Sequence, residues 1–329
     1  MHPIIAVTPA GRRRYLRILA HYILSDPSIA RWQLWDNCRD PSDRGYLEQL
    51  AREHPEKVEL VRLPRADGGL RAINPFYATL RDPHAFYIKL DDDVVWLPPR
   101  FGEQLLRAAL DERTRYTWWS PVVINNALCS WLLKHHSPLQ IDAEISAQAG
   151  CVHGWRSPAF AYSLHLAFLD AVRAGAVAQL EIPSFPMSLA RYSINCLGFF
   201  GSEIARLGSR FCPPEVDDEE WLSAILPSRI GRPGRIVGHL LVSHFSFYTQ
   251  EPYLLQTGVL DEYCRLAGLE PEPTQVKQWS LRRRVREGLL LRLLGGRASY
   301  DIQLSAREPE RAREAERERG DAWAIRSQP

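Results

Sequence analysis

Nowhere in the 329-residue chain is there an uninterrupted apolar run of the roughly 18 residues that a spanning helix needs. The first apolar run, Ile4 to Val7, is also too short for the core of a secretory signal, so a soluble, unexported protein is expected. The six cysteines (Cys38, Cys129, Cys151, Cys196, Cys212, Cys264) include no C-x-x-C pair, which argues against a zinc ribbon or a thioredoxin-like motif and favours a reducing, cytoplasmic setting. Neither charge sign dominates: 41 Lys and Arg against 39 Asp and Glu leave +2, which excludes a histone-like nucleic-acid binder and confines any basic surface to one segment. The turn after the first strand is neither G-x-G-x-x-G nor a P-loop, which disfavours a dinucleotide oxidoreductase or a P-loop kinase. No G-x-S-x-G elbow points to a serine hydrolase, and no internal repeat is visible.

The sequence does contain an alternation of strands and helices. Ile4 to Val7 is β-branched and ends at Thr8-Pro9-Ala10-Gly11, and Arg12 to Leu24 then carries apolar residues at helical spacing. Trp32 to Trp35 reads as a strand ending at Asp36-Asn37, Tyr46 to Glu53 as a helix, and Val58 to Leu63 as a third strand. After the Gly68-Gly69 turn and a helical stretch over Ile73 to Leu80, Ala85 to Leu90 is a buried strand running into Asp91-Asp92-Asp93. This rhythm predicts a doubly wound, mainly parallel, Rossmann-like α/β sheet. Further on, an α+β half is expected, with helices over Phe101 to Ala109, Ala159 to Arg173 and Glu215 to Leu226. A strand or Gly-hinged loop is expected at Asn195 to Gly201, and a strand at Ile236 to Ser243. From about residue 276 the chain turns Arg-rich and then alternates Arg and Glu, a C-terminal helical tail. The implied division is 1–97, 98–275 and 276–329.

Three carboxylates at the end of an apolar strand repel one another unless a cation joins them, so Asp91, Asp92 and Asp93 invite a divalent metal. Were the strand to continue, Asp91 and Asp93 would share a face about 6.5 Å apart. In open α/β sheets this is also the edge where ligands bind. An acidic turn capping a helix would use the same residues.

Taken together, the Thr8-Pro9 turn, Asp36-Asn37, the Gly68-Gly69-Leu70-Arg71-Ala72-Ile73-Asn74 segment and Asp91-Asp92-Asp93 resemble, in their order, the nucleotide-sugar-binding half of GT-A glycosyltransferases of the family 2 type. The resemblance covers Ile4 to Trp96, and more loosely extends to about Gln250. It implies a nucleotide-diphosphate sugar as donor, with Thr8, Asp36, Arg71, Asp91 and Asp92 around the nucleotide, and Mn²⁺ or Mg²⁺ held by Asp91 and Asp93. His244, just after the last expected strand, stands where such enzymes supply a distant histidine ligand; a hydrogen-bonded core histidine would look the same, as would neighbouring His239. An imidazole among carboxylates tilts the choice towards Mn²⁺.

The same resemblance gives Gly198-Phe199-Phe200-Gly201 as a loop touching donor sugar and acceptor. It gives Asp218 as the general base, with Asp217 as second choice, in an enzyme that inverts at the anomeric carbon. Plain capping of a helix is the competing role for both carboxylates. Of Arg12, Arg13 and Arg14, one or two can face the cleft. Trp118 to Asn126 has the chemistry of a sugar-contacting surface, and equally of core packing. His135, His136, Cys151 and His153 match no standard zinc spacing.

Lys277 to Arg297 carries seven Lys and Arg against Glu287 alone, interleaved with leucines. Such a helix suits either an anionic membrane, as for a lipid-linked acceptor at the inner face, or packing on the catalytic domain with its arginines solvated. RNA binding is the weaker use. The expected activity is therefore sugar transfer to a saccharide or glycan acceptor, with nucleic acid not a partner. A non-catalytic, membrane-peripheral scaffold and a nucleotidyltransferase are the alternatives.

Overall fold

The structure is a computed structural model that describes residues 2–63, 70–187, 190–273 and 280–305, without the side chains of residues 70, 71, 281 and 284. β1 (Ile4–Ala10), α1 (Arg13–Ser25), β2 (Ile29–Asp36), α2 (Pro41–Glu53) and β3 (Val58–Val61) form two successive strand-helix-strand units. In α1 the buried set Tyr15, Leu16, Ile18, Leu19, Ala20 and Ile23 recurs at three- to four-residue spacing, giving one broad apolar stripe against the sheet. α2 begins at Pro41, earlier than its apolar periodicity indicates, because Asp40 caps it by accepting from the Ser42 amide.

A tight 3₁₀ segment, Leu70–Thr79, leads to β4 (Phe86–Leu90), β5 (Val94–Trp96), α3 (Phe101–Leu110), β6 (Trp119–Ile124), α4 (Ala127–His136) and β7 (Leu139–Ile141). Then come α5 (Pro158–Arg173), β8 (Phe185–Met187), β9 (Cys196–Phe200), α6 (Gly201–Leu207) and α7 (Asp218–Glu220). A wide turn over Trp221–Ile225 joins α7 to α8 (Leu226–Ile230). β10 (Gly234–His244), α9 (Glu251–Leu254), α10 (Val259–Leu266), α11 (Leu281–Leu293) and β11 (Ile302–Leu304) complete the order.

Eight strands lie in the order β3-β2-β1-β4-β9-β6-β10-β5, with β8 added beside β10. β3, β2, β1 and β4 pair in parallel, and β10 pairs in parallel with β6. β9 is antiparallel to both β4 and β6, so those two run the same way. The sheet is therefore mostly parallel with reversed insertions at β5, β8 and β9, the α/β class expected. Every residue of β4, β6 and β9 is buried, as strands covered on both faces require.

One expectation is corrected here, and one open alternative is decided. Gly198 to Phe200 are not an exposed loop but the interior of the central strand β9, where a Cβ on Gly198 would come within 2.5 Å of the Phe86 ring. Of the two uses open to Trp118 and Trp119, core packing is the one found, each being at most 2% exposed. Two buried neighbouring strands demand just such large apolar side chains.

β10 is broken by a bulge between Val237 and Leu241. Gly238 sits there because its missing Cβ would fall 2.0 Å from the Ile182 carbonyl oxygen, and its own carbonyl accepts from the Ile182 amide. The tail is partly tied down: β11 pairs antiparallel with β7, a strand the composition of that region conceals.

Candidate active site

The strand directions gather the site. The carboxyl ends of β1, β2, β4, β6 and β10 share one edge of the sheet, bringing Gly11-Arg12, Asp36, Asp91-Asp92-Asp93, Asn125-Asn126 and His244 to it. Because β9 runs the other way, its amino end delivers Asn195 to the same edge.

The acidic tripeptide does not continue the strand. β4 stops at Leu90, and the Val94 amide returns to the Asp91 carbonyl at 3.2 Å, closing a turn. The turn gives each carboxylate a different task. Asp92 is buried and faces back to the first turn, accepting from the Gly11 amide at 3.0 Å and from Arg12 Nε at 3.0 Å. Asp91 is partly exposed, held by Lys89 Nζ and by Asn195 Nδ2 at 3.1 Å. Asp93 is buried; Arg12 Nη2 lies 2.9 Å from its Oδ2, while its Oδ1 accepts no hydrogen bond among the described residues. His244 Nε2 stands 3.4 Å from that orphaned oxygen.

Backbone chemistry aims the imidazole. The Phe245 amide donates to the Asp93 carbonyl at 2.8 Å, docking the end of β10 on the acidic turn. The other ring nitrogen, Nδ1, lies 3.3 Å from the Asn125 carbonyl, which places the donor there and leaves Nε2 as the nitrogen facing the carboxylates. Asn125 itself has φ +63°, a left-handed conformation that asparagine tolerates better than most residues.

Among the described residues, one group of three metal-competent side chains converges, Asp91, Asp93 and His244, with ligand atoms all within 4.8 Å of one another. Two carboxylates, one imidazole and a buried, unpartnered carboxylate oxygen fit a hard to borderline divalent cation such as Mn²⁺ or Mg²⁺. His135, His136, Cys151 and His153 form no such group.

Burial opposes charge throughout this cluster, and the partners decide the outcome. Burial disfavours the Asp93 carboxylate, but Arg12, joined by His244 when its imidazole is protonated, outweighs it and holds the group below the usual range. Burial raises Asp92, and the charge of Asp93 adds to that. Burial would strip the proton from Lys89, yet Asp91 and Asp218 keep it a cation.

Across Lys89 lies the second acidic group. Asp218, half-buried in the first turn of α7, accepts from Tyr77 OH at 3.3 Å. Burial raises its pKa, opposed by Lys89 and assisted by Asp91 and Asp217. Asp217 is exposed instead; it caps the helix by accepting from the Glu220 amide at 2.9 Å and pairs with Arg191 at 3.3 Å. Asn74 clamps the approach to this helix, donating to the carbonyls of Pro213 and Val216 at 3.0 and 2.8 Å.

The expected nucleotide contacts fare differently. Asp36 is at the edge, paired with Arg44 at 2.9 Å. Thr8 is enclosed in β1, its hydroxyl accepting from Trp32 Nε1 at 3.0 Å and not facing an open cleft. Gly68, Gly69 and the Arg71 side chain lie outside the described residues. Of the three arginines, Arg12 enters the site, while Arg13 pairs outward with Glu272.

No family model matches this chain, and no curated protein matches its sequence. Its course is similar to solved structures at low identity. One is the mannosyltransferase PcManGT from Pyrobaculum calidifontis in complex with GDP-Man and Mn²⁺, at 12% identity and TM-score 0.45, covering 89% of this chain and 71% of that one. A second is the 4-diphosphocytidyl-2C-methyl-D-erythritol synthase from Anaerococcus prevotii, at 12% identity and TM-score 0.41, covering 80% and 96%. TarS 1–349 from S. aureus follows at 11% identity and TM-score 0.41, covering 82% and 67%.

Sequence reasoning gave no site role to Lys89, Asn195 or Tyr77, and read Asn125 as a sugar-facing amide, not as the support of His244. For Lys89 a signal existed: a lysine two residues before Asp91, in an otherwise apolar strand, shares its face and is buried only when paired. The other three come from distant segments whose approach no local pattern encodes.

Proposed function

We propose that this protein is a metal-dependent glycosyltransferase, moving a sugar from a nucleotide-diphosphate donor to a hydroxyl of a saccharide or glycan acceptor with inversion. The observation that carries the reading is the convergence of Asp91, Asp93 and His244 at the carboxyl edge of the sheet, with Asp93 Oδ1 buried and unpartnered. These three would hold Mn²⁺ or Mg²⁺, which when bound supplies positive charge against a departing diphosphate.

The chain's own residues do the rest. Arg12 neutralises Asp92 and Asp93 and fixes the acidic turn to the start of α1. Asp36, at the end of β2, is the candidate partner for the nucleoside, and Arg71 is a second candidate in the same reading. Asp218 accepts the proton of the acceptor hydroxyl; burial makes it a stronger base than an ordinary carboxylate, and Lys89 keeps it ionised. Residues 1–97 are proposed as the donor half, 98–275 as the acceptor half and 276–329 as an appendage. The six cysteines, all buried and unpaired, support work in a reducing, cytoplasmic compartment.

Calorimetry with nucleoside diphosphates and nucleotide-sugars, with and without Mn²⁺, tests the reading. Metal-dependent binding is expected in the wild type and its loss in Asp93→Ala, with the variant's circular dichroism unchanged. Absence of binding to any donor by folded protein would overturn it in favour of a scaffold. Consumption of nucleoside triphosphate with pyrophosphate release would instead make the chain a nucleotidyltransferase.

A further inference from the structure

α11 shows opposite faces to the protein and to solvent. On the inner side, Glu287 pairs with Arg156 at 3.1 Å. On the outer side, Val285, Leu289 and Leu293 are 61%, 58% and 75% exposed. At 100° per residue these three occupy an arc of about 80°, roughly opposite Glu287. Arg282, Arg286 and Arg292 are exposed and fall within or beside the same arc, Arg286 also pairing with Glu287 at 3.0 Å. A protein that leaves three large aliphatic side chains in water along one helix face has a use for that face. The arginines select its kind: they repel a basic partner, do not complement a neutral apolar one, and suit an anionic surface.

The helix is also held in place. β11 pairs with β7 beyond it, and buried Tyr300 meets His153 Nδ1 at 2.8 Å and the Arg297 amide at 2.9 Å. Arg156 further connects α11 to the site. Its guanidinium lies 5.3 Å from the Trp155 ring centre, and Trp155 packs edge-on against Tyr248 at 5.5 Å. Tyr248 is 58% exposed and four residues beyond His244. Among the described residues no helix is long and apolar enough to cross a membrane.

We propose that α11 seats the protein peripherally on an anionic lipid surface. Val285, Leu289 and Leu293 enter the headgroup boundary, and Arg282, Arg286 and Arg292 lie against the phosphates and carboxylates of the lipids. An aliphatic stripe alone gives weak binding; the added arginines make it strong and salt-sensitive. Through Arg156, Trp155 and Tyr248 the docked helix brings the neighbourhood of His244 close to the lipid. This last step rests on the transferase reading and makes the acceptor a saccharide carried by a membrane lipid.

Full-length protein is sedimented with vesicles of phosphatidylcholine alone and of phosphatidylcholine containing phosphatidylserine, at low and high salt. Binding to the anionic vesicles alone is expected, weakened about tenfold or more by Leu289→Asp with Leu293→Asp, and similarly by Arg282→Gln with Arg286→Gln and Arg292→Gln. Both sets lie on an exposed face, and equal melting temperatures verify their folding. Three outcomes overturn the proposal: wild type left in the supernatant with anionic vesicles, binding that neither set of changes reduces, or a concentration-dependent dimer that the leucine changes abolish. Donor calorimetry without vesicles tests the transferase reading separately, so failure of one is not failure of the other.

Discussion

Asp217 and Asp218 are adjacent carboxylates in different surroundings. Asp217 is exposed and bound to a helix amide; Asp218 faces Tyr77 and the Lys89-Asp91 pair. Asp218→Asn is therefore expected to lower kcat by about 10²–10⁴ with donor affinity retained, the scale of a lost general base. Asp217→Ala should cost about 1 kcal/mol of stability, as a lost cap does, with kcat within a few-fold of wild type. Steady-state kinetics and urea melts on the two variants separate these roles; equal losses of kcat would refute the division.

The same residues set a pH dependence. A base whose pKa is raised loses activity as pH falls through that pKa, so the acid limb of kcat lies above the ordinary 3.8. Lys89→Met removes the cation that opposes the rise and moves the limb further up, which a pH-rate profile reads directly. His165 titrates in the opposite sense. Buried between Tyr263 OH and the Phe245 carbonyl, both at 2.8 Å, it is pushed down to about 4 by desolvation. The unfolded chain then binds the extra proton from pH 6.5 downwards, so stability falls as pH drops from 6.5 towards 4, by roughly 3 kcal/mol for this group alone. An imidazole NMR signal from His165 that titrates near 6.5 would contradict this.

At the scale of elements, the turn between β6 and α4 does more than its composition indicates. Asn125 and Asn126 read as amides available to a sugar, but both are buried and each organises a junction. Asn126 caps α4 by accepting from the Leu128 and Cys129 amides at 3.1 and 3.3 Å, and its Nδ2 reaches the Asn195 side chain at 3.0 Å. Asn195 in turn holds Asp91. Asn126→Ala is expected to lower stability by about 2–4 kcal/mol, the sum of a lost cap and newly unpaired buried groups. It should also weaken metal binding about tenfold through Asn195 and Asp91, measured by calorimetry. The helix itself was not among the expected elements. The cap's second bond was not legible either, because its acceptor stands 69 positions away.

At the scale of the whole molecule, charge balance in the site depends on segments from both halves. Arg12 comes from the first turn, the three aspartates from the turn after the fourth strand and His244 from the tenth strand. A divalent cation binding across them stabilises only the folded chain. Mn²⁺ at about 100-fold over its Kd should add ~2.7 kcal/mol. A melting temperature that rises by a few degrees in wild type and not in Asp93→Ala is the expected result; an equal rise in both would place the metal elsewhere.

What the sequence determined by itself was periodic or local. The alternation of β-branched runs with helical stripes established the α/β class, and the ends of β4, α3 and α5 fall within a few residues of their sequence signals, because burial periodicity and turn residues act over short spans. The acidic tripeptide and His244 were visible as residue types. Only the tertiary structure decided which oxygens meet. A turn replaced the continued strand at Asp91-Asp92-Asp93, sending Asp92 back to Arg12 and bringing Asp91 and Asp93 towards His244. It also enclosed the Gly198-Phe199-Phe200 segment and placed Lys89 between Asp91 and Asp218. These outcomes follow from strand order and direction, which depend on how separate segments pack together and are not written in any one segment's pattern.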